Sequence, residues 1–266
     1  SIQGDQVVIA TKCGVVWDKK YPALHGVCNS ASYIKSCCED SLRRLKTDYI
    51  DLYYLHRLAQ NGEMLEESMF ALSELVAEGK IRHIGLSEVN VSMIRRAQAV
   101  HPLSAIQSEY SLMTRDPEVN GVLQVCRELG IEFVAYSPLC RGLLSKEFSA
   151  AQLDGNDFRN KLPRFKQGNL ENNLLLVNQL DNLAKKHACT VTQLSLAWVL
   201  AQKVIPIPGT KSVKHLTENL AARKIELSQT DLNELDDLFP IGIASGGRYS
   251  PAILRSYNLT SESNNQ

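Results

Sequence analysis

The stretch from residue 50 to residue 87 reads IDLYYLHRLAQNGEMLEESMFALSELVAEGKIRHIGLS and decides the fold class. It holds two short, mostly apolar runs, Ile50 to His56 and Ile81 to Ser87, and each run ends in a polar residue. Between them, segment 65–79 has apolar residues at helical spacing and ends at Gly79, a residue type that commonly terminates helices. This order of strand, helix and strand predicts a βαβ unit with parallel strands, because buried parallel strands are apolar on both faces.

The same alternation continues along most of the chain. Six strands are predicted, at Val7 to Lys12, Ile50 to His56, Ile81 to Ser87, Ala105 to Tyr110, Phe133 to Ser137 and Val204 to Pro208. Amphipathic helices are predicted near 31–46, 65–79, 91–99, 117–129 and 170–187. The chain is therefore expected to be an α/β protein with a parallel sheet.

The number of strands bears on the architecture. A (β/α)8 TIM barrel typically takes about 250 residues and has its active site at the C-terminal ends of its strands. Six units do not close such a barrel, so either the sheet is open or two units are missing. The first strand begins within a few residues of Ser1, and we therefore expect a partial barrel without its first two βα units. We expect one domain over residues 1–255 and a disordered polar tail from Ser256 to Gln266.

Composition and charge exclude several classes of protein. The 266 residues are 44% hydrophobic and 22% charged, as in ordinary globular proteins. Lys and Arg number 29 and Asp and Glu also number 29, so the formal net charge is zero. No overall attraction to nucleic acid or to an anionic membrane is expected. No run approaches the roughly 18 apolar residues of a membrane span, and we expect a soluble protein.

The cysteines and histidines do not suggest a metal site or a disulfide framework. The seven Cys are an odd number without a Cys-x-x-Cys pair, and the six His include no pair at i, i+4 spacing. No targeting segment is visible at Ser1 to Gln3, so one is either absent or lies outside this chain. We expect a cytoplasmic protein.

Two polar residues mark a candidate catalytic site. Lys12 ends the first predicted strand and His56 ends the second, so parallel strands place both at the same edge of the sheet. A cation beside a His suits a site where negative charge develops on a carbonyl oxygen. The Lys lowers the pKa of a neighbouring proton donor, and the imidazole orients the oxygen.

Around these residues the sequence resembles the aldo/keto reductase family from Val7 to about Tyr249. The resemblance rests on motifs that occur in the family's order. They are Val8 to Lys12, Ser41 to Leu45, Asp48 to Arg57, Glu78 to Glu88, Gln107 to Ser111, Ala135 to Leu139 with Arg141 and Gly142, and Ile207 to Ser212 with Glu218 and Asn219.

The resemblance implies a (β/α)8 barrel that binds NADPH without a Rossmann domain, and the sequence indeed contains no Gly-x-Gly-x-x-Gly and no P-loop. The family's catalytic tetrad is Asp, Tyr, Lys and His, and Lys12 and His56 match the last two. The Asp and the Tyr belong to the second βα unit, upstream of the strand that ends in Lys12, and this sequence begins after it. The tyrosines expected to pack in the core or at its rim are Tyr49, Tyr53 and Tyr54, and Tyr110 ends another strand at a position where the family also has an aromatic residue.

The resemblance also implies residues for the nicotinamide and diphosphate ends of the cofactor. Tyr136 would stack on the nicotinamide, while Ser87 and Gln107 would hydrogen-bond its carboxamide. Glu88 stands where many members have Asn, although another branch of the family reads Ser-Glu. The connection from about 140 to 169 would cover the diphosphate, with Ser137, Leu139 and Arg141 at its start. In the same connection, Arg159 and Arg164 could assist in covering the diphosphate, but solvation is the expectation for each.

After the last predicted strand, a short helix near Val213 to Ala222 would receive the adenosine end, because a helix N-terminus attracts anions. Lys211 and Ser212 would bind the 2′-phosphate, which favours NADP over NAD, and His215 would add a polar or cationic contact. The residues that the resemblance assigns to this end are Gly209, Thr210, Lys211, Ser212, His215, Glu218 and Asn219.

Three functions remain open on the sequence alone. The first is NADPH-dependent reduction of a small aldehyde or ketone, with Lys12 and His56 as the catalytic pair. The second is a nucleotide-binding or sensing subunit on the same scaffold, with little turnover. The third is an inactive barrel fragment that is stable only with its missing units or with a partner. The sequence does not determine the substrate or the oligomeric state.

Overall fold

The computed structural model describes residues 7–17, 25–58, 62–149 and 153–256. They form two compact units. The first takes its described residues from 1–108, 120–133 and 252–266, and the second takes its residues from 109–119 and 134–251.

The elements follow each other in the alternating order that the sequence predicts. The strands are β1 (Ala10–Cys13), β2 (Val15–Trp17), β3 (His25–Val27), β4 (Ile50–Leu55), β5 (Ile81–Ser87), β6 (Ala105–Glu109), β7 (Glu132–Tyr136) and β8 (Ile205–Ile207). The helices are α1 (Ala31–Leu45), α2 (Leu65–Ala77), α3 (Val91–Val100), α4 (Asp116–Val119), α5 (Val122–Leu129), α6 (Asn169–Lys186), α7 (Val191–Ala201), α8 (Val213–Ala221), α9 (Gln229–Leu238) and α10 (Pro251–Ser256).

The first unit is built on a parallel sheet. Its strands are ordered β1, β4, β5 and β6, with residues 105–108 of β6 belonging to this unit. The register places Lys12 opposite Tyr54 and Ser87 opposite Gln107. Strands β2 and β3 form a separate antiparallel pair after β1. The parallel register brings the C-terminal ends of β1, β4, β5 and β6 to one edge.

Polar caps and left-handed residues set the helix ends. The Ser30 side chain accepts a hydrogen bond from the Tyr33 N–H at the start of α1, and Asn90 caps α3 in the same way. The expectation of one helix over 117–129 is wrong, because Gly121 has a φ of 81° and separates α4 from α5. A residue in the left-handed region cannot continue a right-handed helix.

The core of the first unit is aliphatic, and one glycine shapes it. The fully buried side chains include Ile34, Ile50, Leu72 and Leu86. A Cβ on Gly85 would collide with the Tyr54 ring of the neighbouring strand. The absence of a side chain at Gly85 therefore leaves room for that ring beside β5.

The second unit has its own core. Strands β7 and β8 pair in parallel, with Tyr136 opposite Ile207. Trp198 is fully buried, and its ring lies 5.3 Å from that of Tyr110. The Arg115 guanidinium lies 5.0 Å from the Trp198 ring and donates to Asp236 and to the Phe239 carbonyl. An aromatic pair and a buried, paired arginine thus hold the centre of this unit.

The six predicted strands are confirmed, although β1 begins at Ala10 rather than Val7. The remaining predicted helices are also confirmed to within a few residues. The pattern missed α7, because this helix is buried around most of its circumference and carries no polar stripe. It also missed α9 and the three-residue strands β2 and β3. The tail beyond residue 256 lies outside the described residues.

Candidate functional site

Lys12 and His56 lie at neighbouring strand ends in the first unit. Lys12 is in β1, and its Nζ lies 5.7 Å from the centre of the Tyr54 ring on β4. The His56 backbone N–H donates to the Cys13 carbonyl over 2.8 Å, so the first residue after β4 is fixed to the last residue of β1. The structure therefore brings together the two residues that the sequence proposes as a catalytic pair.

The surroundings of this pair favour the neutral form of His56. Its pKa is lowered to about 4, first by burial and then by the positive charges of Arg57 and Lys12. Burial and Arg57 also lower the pKa of Lys12. At neutral pH the imidazole is uncharged and keeps one N–H donor, which is the form that can orient a carbonyl oxygen.

Arg57 is a member of this cluster that sequence reasoning missed. It is only 6% exposed, and its Nη1 donates to the Ser87 Oγ over 3.1 Å and to the His56 carbonyl over 2.7 Å. It therefore joins the end of β4 to the end of β5. The sequence did contain a signal for a role of Arg57 at this site, because Arg57 directly follows His56 at a strand end.

Asn29 fixes the backbone of this segment. It is 1% exposed, its Nδ2 donates to the Arg57 carbonyl over 2.9 Å, and its own carbonyl accepts from the Ser68 hydroxyl. Gly14 permits this approach, because it has a φ of 97° and a Cβ there would lie 3.0 Å from the Asn29 Nδ2. No motif in the sequence pointed to Asn29.

Ser87 and Gln107 are adjacent on β5 and β6, and both are buried. Gln107 hydrogen-bonds the Tyr54 hydroxyl, and its carbonyl accepts from the Glu88 N–H over 2.9 Å. Glu88 has a φ of 54°, a backbone strain that is often found at functional sites.

Three tyrosines near the strand ends are core residues, as the sequence predicts for Tyr53 and Tyr54. Tyr53, Tyr54 and Tyr110 are each at most 1% exposed. Burial raises the pKa of all three, to about 12 for Tyr54. A buried phenol that holds its proton so tightly is a poor proton donor to a substrate.

The unusual pKa of His56 has a measurable consequence for stability. Between pH 6.5 and pH 4 the unfolded imidazole binds a proton that the folded one does not, so stability falls as the pH drops through this window. We expect His56→Gln to remove that part of the acid destabilisation. Urea unfolding at pH 7.5 and pH 5 measures this loss of stability. His83 is an exposed histidine of the same unit, and His83→Gln is the control. The same pH dependence in His56→Gln and wild type would contradict a neutral His56.

The second unit contains a cavity of 310 Å³ beside α8. Six residues that the sequence assigns to a nucleotide line it, namely Leu139, Gly209, Thr210, His215, Glu218 and Asn219. The other lining residues are Gly142, Ser145, Glu147, Phe148, Arg159 and Thr192. Residues from the connection after β7 and residues from α8 thus face one space.

The start of α8 forms part of this wall. The Ser212 hydroxyl accepts from the His215 N–H over 3.4 Å and is therefore the N-cap of the helix. The Glu218 carboxylate accepts from the Thr190 hydroxyl over 2.6 Å, which ties α8 to the start of α7. Lys211 is exposed, and neither Lys211 nor Ser212 lines the cavity.

Three further predicted residues lie at the end of β7, outside that cavity lining. The Tyr136 hydroxyl is 3.2 Å from the Tyr249 hydroxyl, which also accepts from Arg141 Nη2 over 2.8 Å. Ser137, Cys140 and Arg141 all have φ between 47° and 58°. Such a run of left-handed residues costs conformational energy and marks a turn that the surrounding contacts enforce.

The two arginines of the long connection differ from expectation. The expectation that Arg164 is solvated is wrong, because it is 7% exposed and donates to the Thr114 hydroxyl and to the carbonyls of Met113 and Gly246. Buried Glu109 lies 3.7 Å away. Arg159 lines the cavity and forms a bidentate ion pair with Asp157. This position agrees with the alternative that Arg159 assists at the nucleotide rather than with full solvation.

The described residues contain no group of three or more His, Cys, Asp or Glu side chains that could hold a metal ion. All seven cysteines are free thiols. No helix in the described part of the chain is long and apolar enough to cross a bilayer.

Comparisons with known proteins agree on one family. The sequence profile of the Aldo/keto reductase family matches residues 2–239. "Probable aldo-keto reductase 1" of Glycine max is 44% identical over 247 residues, which are 92% of this chain and 70% of that protein.

Solved structures give the same result. A glycerol dehydrogenase of Gluconobacter oxydans superposes with a TM-score of 0.80 at 28% identity, over 88% of this chain and 72% of that one. An aldo/keto reductase of Klebsiella pneumoniae, solved with NADP and acetate, superposes with a TM-score of 0.68 at 29% identity, over 92% and 74% of the two chains. The profile match and the alignment at 44% identity each cover about nine-tenths of the sequence. This chain therefore belongs to the aldo/keto reductase family.

Proposed function

We propose that the protein reduces an aldehyde or a ketone to an alcohol with NADPH as the hydride donor. The observation that carries the proposal is the cavity of the second unit. Six residues that the sequence assigns to the nucleotide line this cavity. Membership of the aldo/keto reductase family supports an oxidoreductase function. The relatives from Klebsiella pneumoniae that were solved with NADP and with NADPH support the choice of cofactor.

The residues present fit a phosphorylated nucleotide. The cavity offers backbone at Gly209 and Thr210, a histidine at the start of α8, and the polar side chains of Glu218 and Asn219 for a purine. Lys211 and Ser212 would bind the 2′-phosphate beside the helix N-terminus. NADPH supplies a hydride to the carbonyl carbon when it is bound.

We assign the remaining contacts by resemblance to the family. In the second unit, Ser137, Leu139 and Arg141 would hold the diphosphate, and Tyr136 would stack on the nicotinamide. In the first unit, Ser87 and Gln107 would bind the carboxamide. Both residues are buried and lie opposite each other on adjacent strands, so their side chains are held in place to bind the carboxamide.

Lys12 and His56 would act on the substrate. A neutral His56 donates its N–H to the carbonyl oxygen, while the positive charge of Lys12 lowers the pKa of a proton donor beside that oxygen. In the family this donor is a Tyr supported by an Asp, both on the second βα unit of an eight-stranded barrel. We propose that the six parallel strands described above are the third to eighth strands of such a barrel.

The cofactor assignment is tested at Lys211. If its ammonium binds the 2′-phosphate, Lys211→Ala weakens NADPH binding by about 1–3 kcal/mol, the value of a charge-assisted hydrogen bond, and leaves NADH binding almost unchanged. Fluorescence titration of both nucleotides measures it. Lys224→Ala, an exposed lysine after α8, is the matched control. Equal losses for NADPH and NADH would refute the assignment.

A further inference from the structure

Glu147 is a carboxylate that sequence reasoning did not consider, and it lines the same cavity. It lies on the connection after β7, and its two oxygens are bound to two different side chains of α8. Oε1 is 2.8 Å from the Lys214 Nζ, and Oε2 is 2.9 Å from the His215 Nε2. Lys214 and His215, both in the first turn of α8, are thus already paired with an internal anion.

We propose that Glu147 sets the cofactor preference of this protein by weakening the binding of nucleotides that carry a 2′-phosphate. The inference rests on the proposed function, because it takes the cavity beside α8 as the adenosine site. Lys211 and Glu147 then act in opposite directions, and the preference for NADPH over NADH is the balance between them.

The effect of Glu147 on a 2′-phosphate is electrostatic. A phosphate monoester carries about −1.5 to −2 charges near neutral pH. A nucleotide whose 2′-phosphate sits at the start of α8 has to share His215 with the Glu147 carboxylate or displace it. Sharing leaves the carboxylate within a few ångströms of the phosphate and adds repulsion, whereas displacement breaks the Glu147 ion pairs. A nucleotide with only a 2′-hydroxyl meets neither cost.

The pairs are exposed enough that removing the carboxylate should not unfold the protein. The side chain of Glu147 is 58% exposed, that of Lys214 is 74% exposed and that of His215 is 44% exposed. Exposed ion pairs contribute little to stability, and salt screens them. The variant Glu147→Gln keeps the shape of the side chain and removes only its charge.

The experiment compares two probes that differ only in the 2′-phosphate, adenosine 2′,5′-bisphosphate and adenosine 5′-monophosphate. Isothermal titration of wild type and Glu147→Gln gives both affinities. We expect Glu147→Gln to bind the bisphosphate about two- to fivefold more tightly, the range for one charge removed at an exposed site, and to bind the monophosphate with an unchanged affinity. The gain should shrink as the salt concentration rises.

Glu226→Gln is the matched control, because Glu226 is an exposed carboxylate of the same unit that does not line the cavity. It changes the net charge equally and should leave both affinities unchanged. Unchanged or weaker bisphosphate binding in Glu147→Gln would overturn the inference, as would an equal gain in Glu226→Gln. A loss of monophosphate binding would assign Glu147 instead to the ribose hydroxyl. If wild type binds neither probe and neither NADPH nor NADH, it is the proposed function that fails.

Discussion

Residues 1–266 are expected to reduce 4-nitrobenzaldehyde about 10²–10⁴-fold more slowly than a longer version in which the Asp- and Tyr-bearing βα segment of a relative precedes Ser1. That factor is the usual contribution of general acid catalysis. The rest of the machinery should function in both proteins, since Lys12 and His56 already lie at adjacent strand ends and the imidazole is neutral.

No tyrosine at the ends of β4 or β6 can easily take over the proton transfer. Tyr53, Tyr54 and Tyr110 are buried, and burial raises the pKa of each of their hydroxyls. A phenol without access to the substrate does not donate to it. Nucleotide binding, which depends on other residues, should survive in the shorter protein.

Steady-state oxidation of NADPH by the two proteins measures the difference. Lys12→Met in the longer version is the control that separates chemistry from folding. It should lower kcat strongly while nucleotide affinity stays close to that of the parent. Comparable rates for the two parents would mean that a residue of this chain replaces the tyrosine, and substitution of Tyr53, Tyr54 and Tyr110 in turn would identify it.

The second large effect concerns stability. Arg164→Met is expected to lower the free energy of unfolding by about 3–5 kcal/mol, because it removes one partner of a buried charge pair. The Arg164 guanidinium makes hydrogen bonds to Thr114, Met113 and Gly246, each at least 50 positions away from it in the sequence. Without it, the Glu109 carboxylate, at 2% exposure, loses the cation 3.7 Å from its Oε1 and keeps Arg141, whose Nη2 lies 3.7 Å from its Oε2.

Urea unfolding curves test this expectation. The double variant Glu109→Gln with Arg164→Met should be less destabilised than the sum of the two single variants, since the Glu109 charge that loses its Arg164 partner is removed as well. Arg223→Met, at an exposed position of the same unit, should change stability by less than about 0.5 kcal/mol. A loss in Arg164→Met no larger than in Arg223→Met would show that the buried pair contributes nothing.

Much of the fold could be predicted from the local pattern of apolar and polar residues in the sequence. The runs Ile50 to His56 and Ile81 to Ser87 predicted β4 and β5 to within one residue, and the positions of Lys12 and His56 at strand ends predicted their proximity. Such features depend on residues two to four positions apart, which form the same strand face or helix face in any tertiary context. The pattern failed where this periodicity is lost, as in α7, and where Gly121 breaks a helix.

The sequence by itself therefore determined the α/β class, the family and the identity of the two strand-end residues. Only the tertiary structure decided which charges are buried and which are paired. Arg57 reaches Ser87 across 30 positions, Arg164 reaches Met113 across 51, and Glu147 reaches His215 across 68. The physical reason is that an arginine or a glutamate looks the same in the sequence whether it is solvated or buried. Its role is fixed only when distant segments fold together and exclude water from between them.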